Sequence, residues 1–201
     1  MIEQCRADEV GEGYREDIAG VLAHGFAEDF AFFSPDPARV AAAFAHMLIL
    51  ERFYVALVDG HPAAVASLTT GEQECFALVA AELRAHLGAI RGSISYQIVR
   101  SQFLGAYPEP SPDLAEIGFV TTAPGFRRRG LARALMQHLV SDTGFQRFVL
   151  RDIKDTNQAA LQLYRGLGFR EYERRPVRFA RRAGFHEYLS LRLETDSAGD
   201  S

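Results

Sequence analysis

The sequence predicts an α/β layered domain, and three observations predict it. From residue 115 onward, strand-like and helix-like runs alternate: "AEIGFVTT" (115–122), an amphipathic run after Gly130, "RFVLRDI" (147–153), "NQAALQLYRGLG" (157–168), then "FREYERR" and "HEYLSLRL". That alternation packs helices onto a sheet. The run after Gly130 places Leu131, Ala134, Leu135, His138 and Leu139 at i, i+3, i+4, i+7 and i+8, which is one helical face. Earlier, two β-rich runs in "RFYVALVDGHPAAVASLTT" (52–70) flank Asp59-Gly60, a strong hairpin signal.

The other elements follow in order. Residues 2–7 read as a short first strand, and Ile18, Val21 and Leu22 mark a helix. "AEDFAFFSPDP" (27–37) reads as an aromatic, acidic loop. "PARVAAAFAHMLIL" (37–50) reads as a helix with proline in its first turn. "CFALVAAELRAHLGAIRGSISYQIVRSQFLG" is mostly helical in pattern, and "AYPEPSPD" (106–113) is a proline-rich loop. The helix over 157–168 stops at glycine. The polar end, 196–201, reads as a disordered tail.

Composition narrows the function. The 201 residues suit one domain, or one domain with an insertion, and 48% hydrophobic content gives it a sizeable core. No apolar run approaches a membrane span of roughly 18–20 residues, and the N-terminus lacks a signal-peptide core. Cys5 and Cys75 have no metal-ligand spacing and read as reduced thiols in a cytoplasmic protein. A net charge of −4 argues against a general nucleic-acid binder. The six histidines show no metal spacing, so no metal is expected.

One stretch demands an explanation. "APGFRRRGLARALM" (123–136) sets Arg127, Arg128 and Arg129 against the start of a helix. A helix N-terminus already carries unpaired N–H groups and partial positive charge. Either the arginines are solvated in a plain turn, or an anion sits there. The N–H groups of residues 128–132 could wrap one. The Walker glycines, lysine and hydroxyl are missing.

Arg127-x-x-Gly130-x-Ala132, with Pro124 three residues ahead, resembles the acetyl-CoA signature of the GCN5-related N-acetyltransferase (GNAT) superfamily. Downstream, Asn157, Ala160, Tyr164, Gly168 and Phe169 are similar to that superfamily's second signature. The resemblance is specific over about 115–172. It implies one acetyltransferase domain over 1–195, with a central mixed, mostly antiparallel sheet flanked by helices. Residues 71–114 would be a helical insertion before the fourth strand. Thr122 stands in the usual valine-x-proline run, and Ala132 replaces the commoner glycine.

The resemblance also implies an activity: transfer of acetyl from acetyl-CoA to a primary amine. The acceptor would be a small molecule or a peptide, with no nucleic acid and no membrane involved, and a homodimer is left open. The competing reading is a non-catalytic acyl-CoA-binding module on the same fold. The pyrophosphate would sit on residues 128–132, framed by Arg127, Arg128, Arg129, Gly130, Leu131, Ala132 and Arg133, with Thr122 leading into the turn. Val120 matches the residue whose backbone N–H bonds the acetyl carbonyl. Glu116 matches the glutamate that acts as base, often through water; the alternative is a carboxylate paired with an arginine. Tyr164 matches the general acid near the sulfur; the alternative is core packing. Asn157 is a helix cap, a pantetheine contact, or both.

Strand alternation puts Glu116, Gly118, Val120 and Thr122 on one face. Gly118 marks a bulge, a close approach or mere packing. Glu28 and Asp29, with Phe30, Phe32 and Phe33, either receive the amine or plug the core. "RRPVRFARR" (174–182) is a solvated loop or a contact for something acidic.

Overall fold

A computed structural model describes residues 2–71, 73–102, 104, 111–178 and 180–195. The expected tail, 196–201, and most of the proline-rich loop lie outside the described residues. Seven strands form one sheet: β1 (Ile2–Arg6), β2 (Phe53–Val58), β3 (His61–Thr69), β4 (Leu114–Thr122), β5 (Arg147–Lys154), β6 (Arg170–Pro176) and β7 (Glu187–Glu194). Their order is β1-β2-β3-β4-β5-β7-β6. The β4–β5 pair is parallel, and the other neighbours are antiparallel. The β2–β3 turn uses Asp59 and Gly60 at φ 50° and 80°, as a two-residue hairpin requires.

The described helices are α1 (Ala7–Val10), α2 (Arg15–Gly25), α3 (Ala27–Phe30), α4 (Pro37–Ala45), α5 (Ala80–Leu87), α6 (Ala89–Gln102), α7 (Leu131–Asp142), α8 (Gln158–Arg165) and α9 (Ala180–Ala183). None of them is long and apolar enough to cross a membrane. Two cores cover the two sheet faces. On one, α2, α4 and the α5–α6 pair bury Ile18, Leu22, Phe44, Phe53, Val65 and Leu83. On the other, α7 and α8 bury Leu131, Leu135, Leu139, Leu161 and Tyr164 against Ile117 and Phe148.

Two expected elements are corrected. The helix expected over 37–50 ends at Ala45, and the helical run expected from Cys75 begins at Ala80. One cause explains both. Leu48 pairs with Phe76 in an antiparallel bridge. Ile49 N–H donates to the Cys75 carbonyl at 3.0 Å, and Ala77 N–H to the Met47 carbonyl at 2.7 Å. Backbone groups that would have extended each helix are taken by the other segment. The helices between β3 and β4 are thereby stitched into the core.

The loop expected at 27–37 opens with the short helix α3. Its Phe30 and Phe33 are buried, with ring centroids 5.0 and 5.2 Å from Phe44. Phe32 alone of the three is exposed. Cys75 is buried, and burial pushes its thiol up to about 12.

Candidate active site

The parallel pair β4–β5 sets the site. Its register holds for only three residue pairs, Leu114–Arg147, Ala115–Phe148 and Glu116–Val149. Beyond Glu116 the strands leave the common ladder, so the sheet opens between them.

Each arm of this opening carries a bulge. On β4, Ser67 pairs Gly118 while Val65 pairs Thr121, so one extra residue stands on β4. Phe119 takes it up at φ 49°, a left-handed conformation uncommon for a bulky residue. On β5, Asp152 at φ 55° does the same between Leu150 and Ile153. The β4 bulge overturns the expected alternation. Phe119 packs in the α2-side core and Val120 in the α7-side core. Glu116 and Gly118 therefore face α2, while Val120 turns to the opposite face. Val120 also has no register partner on β3 or β5. Gly118 is a close approach, because a Cβ there would meet Ser67 Oγ at 2.9 Å.

The arginine turn lies between β4 and α7. Arg128 and Gly130 are both left-handed, at φ 62° and 78°. Glycine is needed at 130 for that dihedral angle, since a Cβ would meet nothing within 4 Å. Among the described residues, the N–H groups of Arg128, Arg129 and Gly130 have no hydrogen-bond partner. Leu131 and Ala132 open the first turn of α7, whose N–H groups have no partner within the helix. Arg127 Nε donates to the Thr122 carbonyl at 3.4 Å. Arg129 lies 5.5 Å from the Phe126 ring centre, and Arg133 donates to the Gly166 carbonyl at 3.3 Å.

The second signature forms α8. Asn157 caps it, its Oδ1 accepting the Ala160 N–H at 3.2 Å. Tyr164 is 5% exposed and its ring centre is 6.2 Å from that of Phe169. Burial alone raises its phenol above the usual range, so the hydroxyl keeps its proton.

Glu116 is not a bare carboxylate. Arg151 of β5 donates Nε to Oε1 at 2.9 Å and an NH2 proton to Oε2 at 2.6 Å. The pair straddles the point where the two strands part. Burial pulls the Arg151 guanidinium down, but the hydrogen bond and charge of Glu116 outweigh it and hold it up. Removing one partner strands the other in a partly desolvated place. Arg151→Met should lower stability by about 1–3 kcal/mol, below the 3–5 of a fully buried pair. Adding Glu116→Gln should recover most of the loss, which urea unfolding of the single and double variants would measure.

The pairing of Glu116 with an arginine, one of its two readings, is present; that the arginine is Arg151 was missed from the sequence. The signal was present: neighbouring parallel strands put an arginine of "RFVLRDI" within reach of Glu116. Other candidates sort differently. Asp29 is taken by Lys154, whose ammonium also lies 5.3 Å from the Phe185 ring centre. Arg174 pairs with Glu171 and Glu187, and Arg175 with Asp152, so these two arginines are balanced surface charges. A cavity of about 250 Å³ between α7 and the end of α8 is lined by Arg133, Met136, Gln137 and Leu167, among others. Glu116, Val120 and Tyr164 are not in its lining.

Comparison with known proteins shows the family and the fold. Residues 23–169 match the family model described as the acetyltransferase (GNAT) family. No curated protein matches the chain. Among solved structures, a GCN5-related N-acetyltransferase from Kribbella flavida superposes with a TM-score of 0.60 at 16% identity, covering 96% of this chain and 97% of that one. The ribosomal-protein-S18-alanine N-acetyltransferase from Escherichia coli gives 0.55 at 18%, covering 100% and 97%. A structure of yncA from Salmonella typhimurium with its cofactor acetyl-CoA gives 0.55 at 17%, covering 100% and 98%.

Proposed function

Because the chain belongs to the acetyltransferase (GNAT) family, we propose that it transfers acetyl from acetyl-CoA to a primary amine by direct attack on the thioester. One observation carries this reading. A parted strand pair leads, through Val120 and Thr122, into a turn whose N–H groups lack partners and whose side chains are arginines. Dipole, backbone donors and arginine charge would all serve one pyrophosphate. Tyr164 and Glu116 are contributed from either side of the parted pair.

Each residue then has a task. The backbone N–H of Val120, outside both ladders, donates to the acetyl oxygen as negative charge develops there. Glu116 draws the amine, or a water beside it, with the lone pairs that Arg151 leaves free. Once the amine has attacked, its proton passes that way to solvent. Tyr164 gives its proton to the departing thiolate and regains one from solvent, in place of the one the amine released. The amine nitrogen bonds the acetyl carbon, the carbon–sulfur bond breaks, and CoA leaves as the thiol.

The clamp on Glu116 is the observation that favours a second reading, a non-catalytic acyl-CoA-binding module. Two measurements separate them. Calorimetry should show acetyl-CoA binding that Gly130→Glu weakens at least tenfold, by strain at a left-handed φ and by like charge. Thiol release over a panel of primary amines should show turnover. Binding without any thiol release would favour the second reading, and no binding at millimolar acetyl-CoA would sink both.

A further inference from the structure

Among the described residues, two arginines on the sheet face beside Glu116 form no ion pair. Arg170 of β6 and Arg192 of β7 are direct cross-strand partners, so their side chains share a face. Leu191 and Phe169, their chain neighbours, belong to the α7-side core. The two arginines therefore stand on the opposite face, the one that carries Glu116 and Arg151. Like charges placed directly opposite on a sheet repel.

No carboxylate reaches them as an ion pair, although Glu173 and Glu194 stand on the same face. Glu116 and Glu171 are paired with Arg151 and Arg174, while Glu173 only accepts from the neutral Ser190 Oγ at 3.3 Å. Among the described residues, no ion pair within 4 Å involves Arg170 or Arg192. The Arg192 guanidinium lies 4.8 Å from the Tyr172 ring centre, which fixes its plane. Its Nε is sealed from solvent with no hydrogen-bond partner. Nε faces the protein, so an incoming carboxylate would meet the terminal NH groups, which make no hydrogen bond among the described residues. Tyr172 also acts electrostatically on Arg151, so this patch adjoins the Glu116 clamp.

We propose that Arg192 and Arg170 bind a carboxylate on the amine acceptor. This rests on the acetyltransferase reading and names its substrate class: an amine that also carries a carboxylate. Register sets the spacing. Arg192 pairs with Val149, and Val149 with Glu116. Two strand steps separate Glu116 from Arg192 by about 10 Å between Cα atoms. An acceptor with its amine at the parted strands therefore needs several bonds between amine and carboxylate.

The test uses ω-aminocarboxylates, from 3-aminopropanoate to 6-aminohexanoate, each against its neutral carboxamide. In the native protein kcat/KM for the carboxylate should exceed that of the amide by roughly 10–100-fold at one or more lengths, the fold-change of one charge-assisted hydrogen bond. Arg192→Met keeps the stem on Tyr172 and should erase the preference; Arg170→Met, on an exposed residue, should reduce it. Carboxylate and amide within twofold at every length would overturn the inference, as would a preference that survives both variants. If no amine is acetylated, the activity reading fails separately. The Nε–H signal of Arg192 in ¹⁵N spectra of the acetyl-CoA-saturated protein then decides. A shift with 6-aminohexanoate but not its amide supports the site, and no shift overturns it.

Discussion

Tyr164→Phe should cut turnover by about 10²–10⁴-fold, the usual worth of general acid catalysis, and leave the fold intact. The ring stays, so its packing against Phe169 and Leu161 is kept. Only the hydroxyl goes. Burial holds that proton in place, so the native phenol is still a donor at alkaline pH. The loss should appear in kcat, with acetyl-CoA affinity nearly unchanged, and it should shrink with an acyl donor whose leaving group needs no proton. A phenylalanine variant with full activity would make Tyr164 a core residue and nothing more. Thermal melts beside the kinetics would show whether the fold was disturbed.

Gly25→Ala should be among the most destabilising single-methyl changes in the chain. Gly25 ends α2 against β4, and its added Cβ would fall 1.8 Å from Thr121 Oγ1 and 2.6 Å from Thr121 Cβ. Thr121 is buried and β-branched, so it has little rotamer freedom to yield. Overpacking costs about 1–3 kcal/mol, and the upper end fits an overlap this deep. At roughly 2–4 °C per kcal/mol for this size, the melting temperature should fall by about 6–12 °C. Thr121→Gly in the same chain should recover part of it, and Thr121→Ala less, because its Cβ remains in the way. If the two single changes add without coupling, the clash is not the cause.

Much of the site was legible because short-range chemistry wrote it. Gly130 stands where φ is left-handed, Asn157 caps α8, and Asp59-Gly60 turns the hairpin; each follows from a local backbone requirement. The layered fold was legible from alternating periodicity, which the seven-stranded sheet shares with its structural neighbours. What was not legible depends on neighbours distant in sequence. The Arg151 clamp exists only once β4 and β5 are side by side. A bulge was one reading of Gly118, but the extra residue is Phe119, where no glycine stands, and it moves Val120 to the face opposite Glu116. The ends of α4 and α5 were misplaced because Leu48 and Phe76 pair across about thirty residues. Glu28 and Asp29 looked alike in sequence, yet only tertiary contact shows Asp29 bound to Lys154.

The brevity of the β4–β5 ladder has a consequence for cooperativity. The antiparallel ladders join β1 to β4 on one side and β5 to β6 on the other, while three residue pairs join the two groups within the sheet. Below that seam, the groups are fastened by α7 and by the Glu116–Arg151 bridge rather than by backbone. Amide exchange would divide there into two protected blocks, each opening with its own free energy. A ligand lying between the arms would supply the missing rungs, so binding would merge the blocks into one unfolding unit.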